Sequence, residues 1–358
     1  MASSDEDRKI VLYHYSASPY ARRIVWYLAL RGIPYVQCIQ PPVLPRPDVA
    51  KLGITYRRIP ILAIGRDIYL DTRLMLRKLE QLYPSRPRLG ATATATGTAS
   101  SNPEHAAVER LLEALIIDSV FSNAINVLPT SLPMLKDPKR TWIKDREDFV
   151  GGKLSPETME RGRPNAVNEI RRTVALLETT LLADGRDWLI GTPGPSLADI
   201  EAVWLPHWLS GLPGALPEEH ISKEQFPKVF AWMERFQQVT VKAKKAAAAD
   251  KGKVATVSGD EAAEIVVSSP YNEPEGRVDA KDLLVIEQGL RAGDEVIVWP
   301  VDTGASHKDT GKLLSLDGDE IVFEVQGPKG SARVHAPRHG FRLEKLERYQ
   351  ARTGAAKL

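Results

Sequence analysis

Apolar positions along the chain change their period three times. Residues 9–14 hold the continuous apolar run Ile10, Val11, Leu12 and Tyr13, which predicts a strand. Residues 18–30 then place Ile24, Val25, Leu28 and Ala29 on one helical face. Gly32 and Pro34 stand where a helix-terminating glycine and a following proline belong. Residues 35–39 predict a second strand. After the proline-rich stretch PPVLPRPD, residues 61–64 and 68–70 predict a hairpin joined through Gly65, Arg66 and Asp67. The helix that follows buries Leu76, Leu79 and Leu82.

From residue 105 the period is helical throughout. Val108, Leu111, Leu112, Leu115, Ile116, Val120 and Phe121 share a face over residues 105–128. Val167, Ile170, Val174, Leu177 and Leu181 repeat the pattern over residues 165–183, and further helices are expected over 197–209 and 227–244. Near residue 294 the period shortens again. Residues 294–299, 313–316, 321–325, 332–336 and 341–346 predict short strands, with Asp317–Gly318 as a hairpin signal. Strands at this spacing suggest a small, strongly bent barrel. Two stretches break the pattern. LGATATATGTASS (89–101) has no large apolar residue after Leu89 and reads as a linker. VKAKKAAAADKGKVATVSGDEAA (241–263) reads as a helix extension followed by a second tether. Three domains are therefore expected, at 8–88, 102–245 and 264–350.

Composition narrows the function classes. The chain has 358 residues, two to three domains' worth, with 43% hydrophobic and 26% charged residues, an ordinary globular balance. A formal charge of +2 argues against nucleic-acid binding driven by bulk charge. No apolar run reaches 18 residues, so no membrane span is expected, and the acidic start MASSDEDRK does not read as a secretory signal. A cytoplasmic protein is the expectation. Cys38 is the single cysteine, so no disulfide framework or thiolate metal site is expected.

Four motifs carry a family resemblance. SPYARRIVWYLALRGIPY (18–35), RRIPILAI (57–64), DTRLMLRKLE (71–80) and PSLADIEAVWL (195–205) resemble, in order and spacing, stretches of the glutathione transferase family. The wording YRRIPILAIGRDIYLDT (56–72) is similar to a fungal subgroup with extra sequence after the transferase core. The resemblance covers about residues 8–240. It implies an α/β thioredoxin-like N-terminal domain and an all-α glutathione transferase C-terminal-like domain, to which the small all-β barrel-like domain is appended. It also implies glutathione as cosubstrate, no metal, a homodimer and a small hydrophobic electrophile as second substrate. Detoxification or secondary-metabolite biosynthesis, with conjugation or glutathione-assisted isomerisation or elimination, is the implied role.

The chemistry behind the resemblance is specific. A thiol is mostly protonated at neutral pH, yet its thiolate is the nucleophile. Lowering a thiol pKa by about two units takes about 2.7 kcal/mol of preferential interaction. A hydroxyl at a helix N-terminus can supply much of it. Ser18, before Pro19, matches the serine that donates to the glutathione sulfur; Tyr15 and Ser16 compete for that role, and Tyr20 is a further lining residue. As a residue on its own, Ser18 also reads as a plain N-cap. Pro60 matches a cis-proline that presents the backbone of Ile59 to the cysteinyl part. Asp71 and Thr72 match the acidic–hydroxyl pair that holds the γ-glutamyl end; the family's common pair is Glu–Ser. Lys51, Arg57 and Arg58 are candidates for the glycyl carboxylate. His105, Phe121, Trp204 and His207, with Trp142 and Trp208, are candidates for the electrophile pocket, although core or interdomain packing is the better reading of Trp204 and Trp208. Cys38 falls on a predicted strand and reads as structural, which weighs against thiol exchange. Ser196 and Asp199 read as a helix cap.

The third block has no nucleophile–base pair, phosphate loop or metal spacing. RVHAPRHGF (333–341) gathers Arg333, His335, Arg338 and His339, an arrangement open to an anion or RNA. However, residues 241–358 hold 18 Lys/Arg and 19 Asp/Glu, so a protein-docking or dimer-contact module is the better reading. A non-catalytic binding or scaffold protein acting through this module is the alternative function.

Overall fold

A computed structural model describes residues 8–91 and 102–355. Most of the predicted linker at 89–101 therefore lies outside the described residues. Its start does not: the backbone N–H groups of Leu89 and Gly90 donate to Glu80 at 3.0 and 3.1 Å, and that of Ala91 to Glu109 at 3.0 Å.

The first block is built as predicted. Strands β1 (Ile10–His14), β2 (Val36–Ile39), β3 (Ile61–Ile64) and β4 (Asp67–Tyr69) are joined by helices α1 (Pro19–Leu30) and α2 (Pro47–Ala50), and α3 (Thr72–Leu82) follows. β1 pairs parallel with β2 and antiparallel with β3, and β3 pairs antiparallel with β4. Every residue of β1 is buried because both faces are covered. Its alternation divides the sheet between two cores. Ile10 and Leu12 face α1, α3 and the helical domain, whereas Val11 and Tyr13 face the third block.

The helical block comprises α4 (Pro103–Ala114), α5 (Ala124–Val127), α6 (Thr141–Val150), α7 (Pro156–Thr179), α8 (Leu197–Ser210) and α9 (Pro227–Lys251). The single helix expected over 105–128 is interrupted. A π-helical turn at Leu115–Val120 and a 3₁₀ turn at Phe121–Asn123 separate α4 from α5. Leu111, expected on the buried face, is 68% exposed. The π turn inserts a residue into the ladder and shifts the phase of the apolar stripe.

The largest departure concerns the third block, which is not tethered apart. After α9, residues 255–257 run beside β2, where Gln37 N–H donates to Ala255 O and Val257 N–H to Gln37 O, both at 2.9 Å. Helix α10 (Gly259–Ser268) then packs Ala262, Ala263 and Val266 onto the second core. Helix α11 (Leu283–Gln288) precedes strands β5 (Glu295–Pro300), β6 (Asp309–Leu316), β7 (Glu320–Gly327), β8 (Gly330–Pro337) and β9 (Phe341–Lys345), and α12 (Leu346–Ala355) ends the described chain. The strands pair in the order β8-β7-β6-β5-β9. Its two outer members, β8 and β9, are linked by only residues 338–340, so the sheet is strongly coiled, but they do not pair with each other. Yet β8 also pairs parallel with β4, aligning Arg333, Val334 and His335 with Asp67, Ile68 and Tyr69. One nine-stranded sheet results. An edge strand offers unpaired backbone groups, and the third block covers both edges of the N-terminal sheet. The close fit shows at Gly53 and Gly327: a Cβ on Gly53 would lie 2.7 Å from Gln326 O.

The β4–β8 seam is locked by a buried ionic cluster. His335, 3% exposed, places Nε2 and Nδ1 each 3.2 Å from a carboxylate, Asp67 and Glu320. Carboxylates only accept, so both ring nitrogens donate and the ring is the imidazolium. Lys78 donates to Glu273 at 2.6 Å and Glu320 at 2.7 Å, and Tyr69 OH donates to Glu273 at 2.6 Å. Burial opposes the charge on His335, but hydrogen bonds to Asp67 and Glu320 raise its pKa above 6.5. Burial would raise Glu320, yet His335 and Lys78 hold it at about 2. The other basic residues of 333–341 are likewise engaged by groups of the chain itself. Arg333 stacks on Tyr271 at 3.9 Å, Arg338 donates to Asp282 at 2.9 Å and His339 lies 3.2 Å from Asp118.

A raised folded pKa means that His335 stabilises fully below its unfolded value near 6.5, and that this contribution is lost as pH rises through the folded pKa. H335Q is expected to lower stability by about 3 kcal/mol near pH 6, because the buried Asp67 carboxylate loses its cation while Glu320 keeps only Lys78. The difference from wild type should shrink towards pH 9. Denaturant midpoints across that range check it.

Candidate functional site

Register places three helix or strand starts at one end of the N-terminal sheet. β1 ends there, β3, antiparallel to it, begins there, and β4, antiparallel to β3, ends there. The turn into α1, the Ile59–Pro60 peptide and the start of α3 therefore converge.

Ser18 is the N-cap of α1, with φ −67° and ψ 121°. Its backbone N–H donates to Tyr15 O at 3.0 Å, and its Oγ accepts from the Ala21 N–H at 3.2 Å. The cap satisfies one of the helix's unpaired donors. Ser18 is 1% exposed, beside exposed Ser16 and Ala17. Among the described residues no acceptor takes the Ser18 hydroxyl proton, so the hydroxyl is still able to donate. Tyr15 is half-buried with the Arg46 guanidinium 5.9 Å from its ring centre. Tyr20 packs between Phe121 and Trp204, with ring centres 4.8 and 4.7 Å away. Burial, then the Asp71 charge, pushes its hydroxyl pKa up, so it stays protonated.

The Ile59–Pro60 peptide is cis, as the resemblance implied. Asp71 is the N-cap of α3 at φ +65°, accepting from the Arg73 N–H at 3.0 Å. Thr72 is buried, and its Oγ1 accepts from Arg23. Arg23 is fully buried on α1 and also pairs with Glu201 of α8. A strut thus runs from the helical domain through α1 to the start of α3. Sequence reading missed Arg23 and Glu201; the available signal was an arginine within the apolar helix 18–30.

All three candidate cations are engaged by the chain's own carboxylates. Lys51 pairs with Asp48 at 3.4 Å and Asp260 at 2.9 Å. Arg57 pairs with Asp145 at 2.9 Å and with Asp148. Arg58 pairs with Asp71 at 3.6 Å and with Asp302 of the third block. None of these carboxylates except Asp71 was anticipated.

The electrophile-pocket candidates divide. Phe121 and Trp204 meet Tyr20 beside the Ser18 turn. His207 does not: its Nε2 lies 2.8 Å from Gln237 Oε1, its Nδ1 lies 3.3 Å from Arg22, and its ring meets Trp26 at 5.1 Å, between α1, α8 and α9. Burial lowers its pKa. His105 sits in the first turn of α4, its N–H 3.4 Å from the capping Asn102, with no hydrogen bond, ion pair or ring contact to the Ser18 turn among the described residues. Trp142 faces Arg146, and Trp208 packs between the main core and a satellite core. Cys38 is buried on β2, its thiol pushed up to about 11 by burial and then Asp48. That environment suppresses the thiolate and agrees with a structural role. Asp199 caps α8 as expected and also accepts from Leu189 N–H and Trp232 Nε1. Among the described residues no group of three or more His, Cys, Asp or Glu is placed to hold a metal, and no helix is long and apolar enough to cross a membrane.

Comparison with known proteins bears on this geometry. Residues 12–87 match the family model described as glutathione S-transferase, N-terminal domain. The chain has the glutathione transferase fold, and its residues 12–87 are similar to the N-terminal domain of the glutathione S-transferases. Residues 123–245 match a domain of unknown function (DUF7962). Glutathione S-transferase U1 of Arabidopsis thaliana is 22% identical over 238 residues, covering 66% of this chain and 88% of that protein. Glutathione transferase GST 23 of Zea mays is 22% identical over 227 residues, 63% of this chain and 83% of that protein. A solved GST-like protein from Pseudomonas syringae superposes with a TM-score of 0.61 at 23% identity, covering 94% of this chain and 99% of its own. That breadth extends the shared fold into the third block of this glutathione transferase-like chain.

Removing Glu201 leaves the Arg23 cation buried and unpaired, so E201A is expected to cost about 3–5 kcal/mol of stability. E201Q keeps an acceptor and should cost less. Urea unfolding of both variants checks the strut.

Proposed function

We propose that this chain is a glutathione-dependent transferase that stabilises the glutathione thiolate for attack on a small hydrophobic electrophile. The observation that supports it most is the Ser18 hydroxyl, held at the α1 N-terminus by its bond from Ala21 with its own proton unclaimed. In this reading the hydroxyl donates to the thiolate sulfur, and the positive end of the α1 dipole adds to it. The sulfur lone pair forms the new S–C bond, and the electrophile either releases a leaving group with its electron pair or takes up a proton. Ile59, beside Pro60, holds the cysteinyl backbone. Asp71 takes the γ-glutamyl ammonium, and Thr72 with the α3 N-terminus takes its carboxylate. Thr72 is pre-set by Arg23. The half-buried rings of Tyr20 and Phe121 suit an aromatic or aliphatic electrophile; Trp204 is fully buried behind them and serves as core. His105 and His207 carry no role in this reading. The relatives named above are plant and bacterial; the fungal affinity, a homodimer, a cytoplasmic location and a detoxification or secondary-metabolic role rest on sequence resemblance and composition.

One observation favours a second reading, a binding protein without turnover: Lys51, Arg57 and Arg58 are all occupied by internal carboxylates. Retention on immobilised glutathione followed by conjugation of a generic aromatic electrophile separates the two. Binding with turnover supports the transferase, and binding without turnover supports the second reading. S18A is expected to retain glutathione while raising the bound thiol's pKa by about one to two units and lowering conjugation at neutral pH about ten- to a hundredfold. Ultraviolet titration of bound thiolate measures the shift. An unchanged titration would transfer the role to Tyr15 or Ser16.

A further inference from the structure

The loop between β5 and β6, residues 301–308, crosses from the third block onto the proposed glutathione site. All three guanidinium nitrogens of Arg58 face oxygens of the chain. Nε donates to Thr303 O at 2.8 Å, Nη2 to Asp302 and Nη1 faces Asp71 at 3.6 Å. Two of these three oxygens belong to the loop. The loop is seated closely, because Gly304 has φ +73° and a Cβ there would lie 2.9 Å from Arg57 Cγ. It is tied at its far side as well. Gly304 N–H donates to Phe149 O at 2.6 Å, Ser306 donates to Asp148 at 3.1 Å, and His307 lies 2.9 Å from the same carboxylate. A neighbouring strap segment lies alongside: Val301 N–H donates to Gly340 O at 3.0 Å, and the Phe341 ring centre is 5.9 Å from the Arg58 guanidinium.

Asp302 itself is exposed, with 60% of its side chain open to solvent, whereas Asp71 is 9% exposed. The two acids on Arg58 are therefore unequal. Asp71 is fixed at a helix N-cap, whereas the Asp302 carboxylate stands in solvent, where another carboxylate can take its place on Arg58. From this asymmetry we propose that Asp302 is a specificity-determining residue of the glutathione site: it occupies Arg58 as an internal carboxylate, and a ligand gains Arg58 only by bringing a carboxylate that displaces it. The inference rests on the transferase reading and adds to it Arg58, the candidate of the sequence resemblance, as the partner of the glycyl carboxylate of glutathione. It deepens that reading by making the third block the part that selects the ligand. A thiol without a suitably placed carboxylate leaves the loop closed, so the site discriminates against neutral thiols. The apparent affinity for the ligand is scaled down to the fraction of molecules in which Arg58 is free.

The test compares the full chain with D302N, which keeps the shape of the side chain but removes the competing charge. Calorimetry with glutathione and with its diethyl ester, which lacks both free carboxylates, reads the effect. Glutathione is expected to bind D302N about five- to tenfold more tightly than wild type, as the loss of an exposed ion pair and a shift of the closed fraction allow. The diester should bind both proteins equally. A purely structural role for Asp302 would alter both ligands together and overturns the proposal. Unchanged or weaker glutathione binding by D302N, with wild type binding, also overturns it while leaving the transferase reading intact. No glutathione binding by either protein overturns the transferase reading itself, and the selection role with it. Hydrogen exchange at residues 301–308 gives a ligand-free measure, and faster exchange in D302N is expected; equal exchange counts against the loop being held by this carboxylate.

Discussion

The pairing of β4 with β8 is the constraint on which the remaining architecture depends. A four-stranded sheet with a three-residue edge strand has little of its own to hold that edge. Here β8 supplies the partner, and the imidazolium of His335 sits in the pair between Asp67 and Glu320. Once β8 is placed, the coiled meander β8-β7-β6-β5-β9 must lie over the face that bears Val11, Tyr13 and Ile61. That placement allows α2 to be a single turn, because the apolar cover comes from α10 and the meander instead. It also brings the loop of residues 301–308 onto Arg57 and Arg58. The seam, the second core and the crowded cations of the site are thus one structural fact seen at three places.

Much of the fold was legible because its signals are local. The apolar run of β1, the cap and proline at Ser18–Pro19, and the apolar stripe of α7 each act over a few residues. The interruption at Leu115–Val120 was not legible, since the apolar period continues through it and only packing selects the π turn. Helix α10 was hidden in a stretch that reads as a tether: its small alanines carry little hydrophobic signal, and their value lies in the close approach they allow to the sheet. The union of the two sheets had no local signature at all. It is carried by strand edges and by charges such as Asp67 and His335, whose partners stand in another block of sequence.

The site shows the same division. Ser18, Pro60, Asp71 and Thr72 were legible as candidates because they sit in motifs whose order the chain keeps. Their neighbours were not. Arg23 matters through Glu201, and Arg58 through Asp302, and each pair joins segments that no periodicity connects. Charge arithmetic was sound but blunt: a near-zero balance in residues 241–358 did reflect charges that satisfy one another, as Arg338 with Asp282 and Lys345 with Asp294 show. It could not tell that several of them face the first block rather than each other.

The parallel pair β4–β8 joins residues 268 positions apart, Asp67 and His335. A chain emerging from the ribosome therefore makes β1–β4 first and receives their closing partner only after a further 268 residues. Until then the β4 edge and the apolar face of Val11, Tyr13, Ile61 and Ala63 stand open. The last strands act on the first as a built-in chaperone that arrives late. A nascent chain halted before residue 330 would present an aggregation-prone edge that the finished protein does not have.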